Sequence, residues 1–127
     1  MNAYAEFIRS YVDVYLQLVL PWAEGGRKRI DWSDWNRTLA VVCMIAEAPV
    51  ATQAVRVDEA MWRMSLASAR GPLDREEWRQ LREPLENAVL RFVNLAREEL
   101  GGLGPPLPRL NGRPAPDDPA WPAGVSP

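Results

Sequence analysis

Residues 39–46 read LAVVCMIA, an unbroken run of eight apolar residues within a segment that otherwise has the spacing of an amphipathic helix. Eight residues make about two turns of α-helix, so this stretch has no polar side to present to water. A helix at the rim of a small bundle normally keeps such a side. The run therefore predicts a helix that is covered on several sides, either by other parts of this chain or by another chain.

Working outward, four segments place apolar residues at steps of three and four, which is the periodicity of helices that share a core. We predict an all-α, four-helix up-down-up-down bundle over residues 1–101, with helices at about 2–23, 32–47, 50–70 and 74–100. The connections are short, which favours antiparallel neighbours. No segment alternates convincingly with period two, so no strand is predicted.

Each predicted helix has an apolar stripe that is expected to face the core. The stripes are Tyr4, Ile8, Tyr11, Tyr15, Leu18 and Trp22; Trp32, Trp35, Leu39, Val42 and Ala46; Val50, Ala54, Val57, Met61 and Met64; and Trp78, Leu81, Leu85, Val89, Phe92, Ala96 and Leu100. In the fourth helix Asp74 and Glu77 have the spacing of a capping box, and Gly101-Gly102 ends it. Pro84 removes a backbone donor there and is expected to kink the helix or split it.

The last part of the chain has a different composition. Gly101 to Pro127 contains eight of the twelve prolines and few aliphatic residues. Residues 102–127 are therefore predicted to form an extended or disordered Pro/Gly-rich tail. A second interpretation has the tail lying in a groove of the bundle, anchored by Leu110 and Trp121.

Three of the predicted helices carry more apolar surface than one core requires, which favours association with a second copy of the chain or with another protein. The candidate interface consists of outward-pointing ridges on the first three helices: Leu16, Leu20, Val41, Met44, Val55, Trp62 and Leu66. The alternative is an irregular bundle that uses these ridges internally. The single cysteine, Cys43, is expected to be a buried thiol.

The composition argues against several chemistries. The chain has no histidine and one cysteine, so it lacks the usual general base, the common catalytic triads and zinc ligand sets. We expect no enzyme, no cofactor and no metal site. A net charge of −2 offers no basic excess for nucleic-acid binding.

The favoured function is a non-enzymatic protein–protein interaction or assembly module that forms a homodimer. The alternative is a helical bundle that binds a small molecule, with or without catalysis, in a tryptophan-lined pocket made by Trp22, Asp58 and Met61. An Asp in that position more often pairs with an arginine or caps a helix than does acid–base work. An inhibitor or immunity-type protein is a third, weaker interpretation.

The chain shows no basic leader and no stretch long enough to cross a bilayer, so a cytoplasmic location is expected. All but one of its 15 basic residues are arginine, a bias typical of a high-GC bacterial genome.

Overall fold

A computed structural model describes residues 2–23, 30–114 and 117–122, with the side chains of 20–23 excepted. The prediction of an all-helical protein is confirmed: this part of the chain contains four helices and no strand. They are α1 (Ala3–Ala23), α2 (Ser33–Ile45), α3 (Ala48–Ala69) and α4 (Arg75–Glu99). None of the described helices is both long and apolar enough to cross a membrane.

The helix ends follow from short polar residues and prolines. Asn2 accepts the backbone N–H of Tyr4 at 2.8 Å, and Asp74 accepts that of Glu77 at 2.9 Å, so each satisfies a donor that its helix leaves free. Pro49 lies in the first turn of α3, where its missing N–H costs nothing. Pro84 lies inside α4, which continues through it and is not split.

Phe7 lies at the centre of the core and joins three helices. Its ring is 4.6 Å from that of Trp35 in α2 and 4.7 Å from that of Phe92 in α4, and all three side chains are buried. Aromatic pairs at these distances add to the stabilisation from apolar burial. The α3 stripe predicted from the sequence is buried in full in the same core.

The stripe predicted for α1 is displaced by a fraction of a turn. Phe7 and Val14 are buried, whereas Tyr11 and Tyr15 are only half-buried and lie toward α4. Because α1 is apolar over more than half its circumference, spacing alone cannot choose between two adjacent stripes. The packing favours the purely apolar side chains in the centre and leaves the phenols at the edge.

Two further sequence expectations are wrong. Cys43 is exposed rather than buried, because the buried residues of α2 are Trp35, Thr38 and Val42 and the next position along points outward. Leu100 is also exposed, because α4 ends at Glu99 and the chain turns away.

Glu99 connects the ends of three helices. Its carboxylate accepts the hydroxyl of Tyr4 in α1 and, at 2.6 Å, the backbone N–H of Glu47 at the start of α3. These donors lower the pKa of Glu99, the Tyr4 hydroxyl contributing most. Burial, followed by the bond to Glu99, raises the pKa of Tyr4 to about 12. Both shifts favour the ionised carboxylate and the protonated phenol, which are the forms that bond.

The segment after α4 turns back along that helix. Gly101, Gly102 and Gly104 have positive φ angles of 117°, 64° and 95°, a region that residues with a Cβ rarely adopt. The Asn94 side chain then donates to the carbonyl of Leu107 and accepts its backbone N–H. Trp121 donates its indole N–H to the carbonyl of Pro114, within the same segment.

Candidate functional site: the outer faces of α2 and α3

Two tryptophans form a stacked pair at the surface where α2 begins. The rings of Trp32 and Trp62 lie 4.5 Å apart, with 12° between their planes. One turn earlier on α3, Asp58 accepts the indole N–H of the buried Trp35 at 2.7 Å. These two contacts fix the start of α2 against the middle of α3. Trp62 is held in a defined orientation although much of its ring remains exposed.

Trp62 belongs to a strip of exposed apolar residues along α3. Val55, Trp62 and Leu66 follow one another at steps of seven and four, so they lie on the same side of the helix. All three side chains are exposed. We call this the α3 strip; its position beside α2 follows from the Trp32–Trp62 stack.

A second exposed strip lies on α2. Val41 and Ile45 are seven and eleven residues after Asp34, so the three share one side of the helix. Asp34 is paired with Arg9 of α1 at 3.0 Å, which places this side next to α1. Met44 points further outward and, with Val41 and Ile45, forms what we call the α2 strip.

The predicted interface residues therefore do not lie in one continuous patch. Val41 lies on the side of α2 that faces α1, and Leu66 lies on α3. Leu16 is exposed on α1 next to Val12. Leu20 lies outside the described side chains. Ile45 is also exposed, although it was not among the interface residues predicted from the sequence. Its four-residue spacing from Val41 would have indicated that the two share one side of α2.

Charged residues separate the α2 strip from α1. Arg9 pairs with Glu6, Asp13 and Asp34 at 2.9, 2.8 and 3.0 Å. The nearby Arg37 guanidinium is the main cause of a lowered pKa at Asp34, so that this carboxylate stays ionised. All of these side chains are substantially solvated, and such pairs contribute little to stability. They give the apolar strip a polar border, as is typical of protein interfaces.

The residues proposed for a ligand pocket have packing roles in this fold. Asp58 holds the Trp35 indole, and Met61 is fully buried in the core. The third residue, Trp22, lies outside the described side chains. Among the described residues no group of three or more acidic or cysteine side chains is placed to hold a metal ion.

Comparison with known proteins gives no relative. No protein-family model matches this chain, and neither do any of the curated proteins or solved structures searched.

Proposed function

We propose that this protein is a non-enzymatic interaction or assembly module that forms a homodimer through the exposed apolar ridges of α1, α2 and α3. The observation that carries the proposal is the exposure of large side chains on these helices. Met44 is 77% exposed, Leu66 56% and Trp62 40%. Trp and Met are enriched at protein interfaces, and an exposed tryptophan held rigidly by stacking loses little conformational freedom on binding.

The energetics are compatible with a stable dimer. Moving one large apolar side chain from water into a packed contact contributes about 1.5–3 kcal/mol. A two-fold dimer would bury the same strip from both copies, so the three residues of the α3 strip, or the three of the α2 strip, would contribute six side chains. That gain is enough to exceed the cost of association, about 4–15 kcal/mol, when several of these residues pack well.

The scaffold that presents these ridges is proposed to have the up-down-up-down arrangement expected from its short connections, with a bend in α4 at Pro84. We also propose that it works in the cytoplasm. A small-molecule-binding bundle is less favoured, because Asp58 already bonds to Trp35 and Met61 is part of the core. No described residue specifically supports an inhibitor or immunity-type role.

The test is the absolute mass in solution, measured by light scattering on a sizing column over a range of concentrations. We expect wild type to be a dimer. Leu66→Glu tests whether the α3 strip forms the interface, and Val41→Glu, made separately, tests the α2 strip. At least one of them should give a folded monomer by circular dichroism. Leu103→Glu is the matched control, since this leucine is also exposed but lies beyond α4.

Two results would contradict the proposal. A wild-type monomer at all concentrations would exclude self-association. A dimer that persists in both charged variants would place the interface elsewhere.

A further inference from the structure

The Pro-rich segment after α4 is bound by a side chain that recognises its backbone. The Asn94 amide donates to the carbonyl of Leu107 at 2.9 Å and accepts its N–H at 2.8 Å. Arg97 donates to the carbonyl of Leu103 at 2.6 Å. Both contacts are made to main-chain atoms, as when a receptor holds an extended peptide.

A charge pair gives the segment a second attachment point. Arg113 lies 3.7 Å from the carboxylate of Glu86, which is eight residues before Asn94 on α4. The eight helical residues from Glu86 to Asn94 span about 12 Å, and the six residues from Leu107 to Arg113 span about 19 Å when extended. The segment is therefore longer than the distance between its two attachment points. Part of the extra length forms a turn in which Asn111 accepts the N–H of Arg113 at 2.9 Å.

Between these points the segment forms one wall of a cleft between α1 and α4. The cleft has a volume of about 800 Å³, and Pro108, Leu110 and Pro114 contribute to its lining. On the α1 side it is lined by Tyr11 and Tyr15, whose rings lie 6.0 Å apart. Aromatic side chains beside an acidic group are the combination that binds proline-rich peptides with an arginine, because prolines pack on ring faces.

None of these contacts depends on the segment being covalently attached to α4. They involve a main-chain amide, prolines and an arginine, and the connection to α4 runs through glycines with positive φ. We propose that the α1–α4 cleft is a binding site for a proline-rich, arginine-containing segment of another protein, and that residues 107–114 lie in cis along the α4 side of this cleft, where they compete with that segment. This site is separate from the α2 and α3 strips and does not depend on self-association.

Variants in the tail test release of the tail separately from binding of a peptide, because they leave the α1 and α4 residues of the cleft unchanged. Leu107→Pro removes the N–H that Asn94 accepts, and Arg113→Glu replaces attraction to Glu86 with repulsion. Combined in the full chain, they should accelerate tryptic cleavage at the Arg109–Leu110 bond. Wild type should be cleaved slowly at this bond.

The binding probe is a fluorescent peptide with the sequence of residues 103–114, followed by anisotropy. We expect the tail double variant to bind it at least tenfold more tightly than wild type, whose own tail competes at high effective concentration. Adding Glu86→Gln to the double variant should weaken binding of this peptide several-fold, because it removes the charge that faces Arg113. A peptide carrying Arg113→Gln should bind the double variant with a similarly weakened affinity, because it lacks the same charge pair.

Several outcomes would overturn the inference. Unchanged tryptic cleavage in the double variant would show that these contacts do not hold the tail. Absence of peptide binding to a released variant would show that the cleft is not a peptide site. Equal affinity in wild type and double variant would exclude competition in cis.

Discussion

The carboxylate of Asp58 accepts the indole N–H of Trp35 at 2.7 Å, and this bond ties the first turn of α2 to the middle of α3. Trp35 is fully buried, so its N–H has to find a partner inside the protein. Asp58 is partly exposed and supplies that partner from the edge of the core. The residue that sequence reasoning selected as a candidate acid is thus a structural acceptor.

Asp58→Ala should destabilise the fold by about 1–3 kcal/mol, because it leaves the buried indole N–H without an acceptor. Asp58→Asn retains a side-chain oxygen and should cost less. Urea unfolding gives both values, and Glu59→Ala, at the neighbouring exposed position, should stay within about 0.5 kcal/mol of wild type. Equal stability of Asp58→Ala and wild type would show that the bond is unimportant.

Phe7→Ala should cost about 3–5 kcal/mol, because it opens a cavity between Trp35 and Phe92 at the centre of the core. Leu16→Ala, on the same helix but exposed, should have a far smaller effect on the stability of the protomer. Thermal or urea unfolding distinguishes the two. Similar losses in both variants would mean that Phe7 is not a central core residue.

The helix content could be predicted from the sequence, because caps and apolar periodicity act locally. The α3 stripe was also predictable, since Val50, Ala54, Val57, Met61 and Met64 follow one another at regular steps of four and three. The side of α1 that faces the core could not be predicted. Its apolar arc includes Phe7 and Val14 as well as Tyr11 and Tyr15, and only the neighbouring helices decide which residues face the centre.

Glu99 should make stability depend on pH below neutrality. Its pKa is lowered in the folded state, so its contribution is present above the unfolded pKa, about 4.3, and is lost as the pH falls through the folded value. The stability difference between wild type and Glu99→Gln should therefore be largest near pH 7 and shrink in acid. Urea midpoints at several pH values measure it; a constant difference would contradict the prediction.

Tyr4 should act at the opposite end of the pH range. Its pKa is raised from 10.0 to about 12, so its contribution is present below pH 10 and is lost as the pH rises through the folded value. Tyr4→Phe should be less sensitive to alkali than wild type. Burial also raises the pKa of Tyr11 to about 12, so some alkaline loss remains in that variant. An identical alkaline profile for wild type and Tyr4→Phe would rule out this role.

Cys43 should react with a thiol reagent in the native protein without denaturant, because its side chain is exposed on α2. The rate of labelling by an aromatic disulfide, followed by absorbance, provides the measurement. At high protein concentration the rate should fall if the dimer interface covers this part of α2. Labelling that occurs only after unfolding would contradict the exposure.

The candidate surfaces were only partly predictable. Met44, Val55 and Leu66 could be identified as surplus apolar residues from their positions outside the core stripes. Their division into two strips depends on contacts between distant residues, namely Trp32 with Trp62 and Arg9 with Asp34. The tail's path depends on the Asn94–Leu107 pair, which no local pattern indicates.

The reversal of the chain after α4 has a stereochemical consequence. At Gly101, Gly102 and Gly104 an added Cβ would meet no atom within 4 Å, so space does not restrict these positions. What restricts them is handedness, since each φ angle lies where L-residues are strained and their mirror images are relaxed. Chemical synthesis could exploit this: D-alanine should be accepted at Gly102 and L-alanine resisted. At the turn by which the tail leaves the bundle, substitution is therefore restricted by chirality rather than by space.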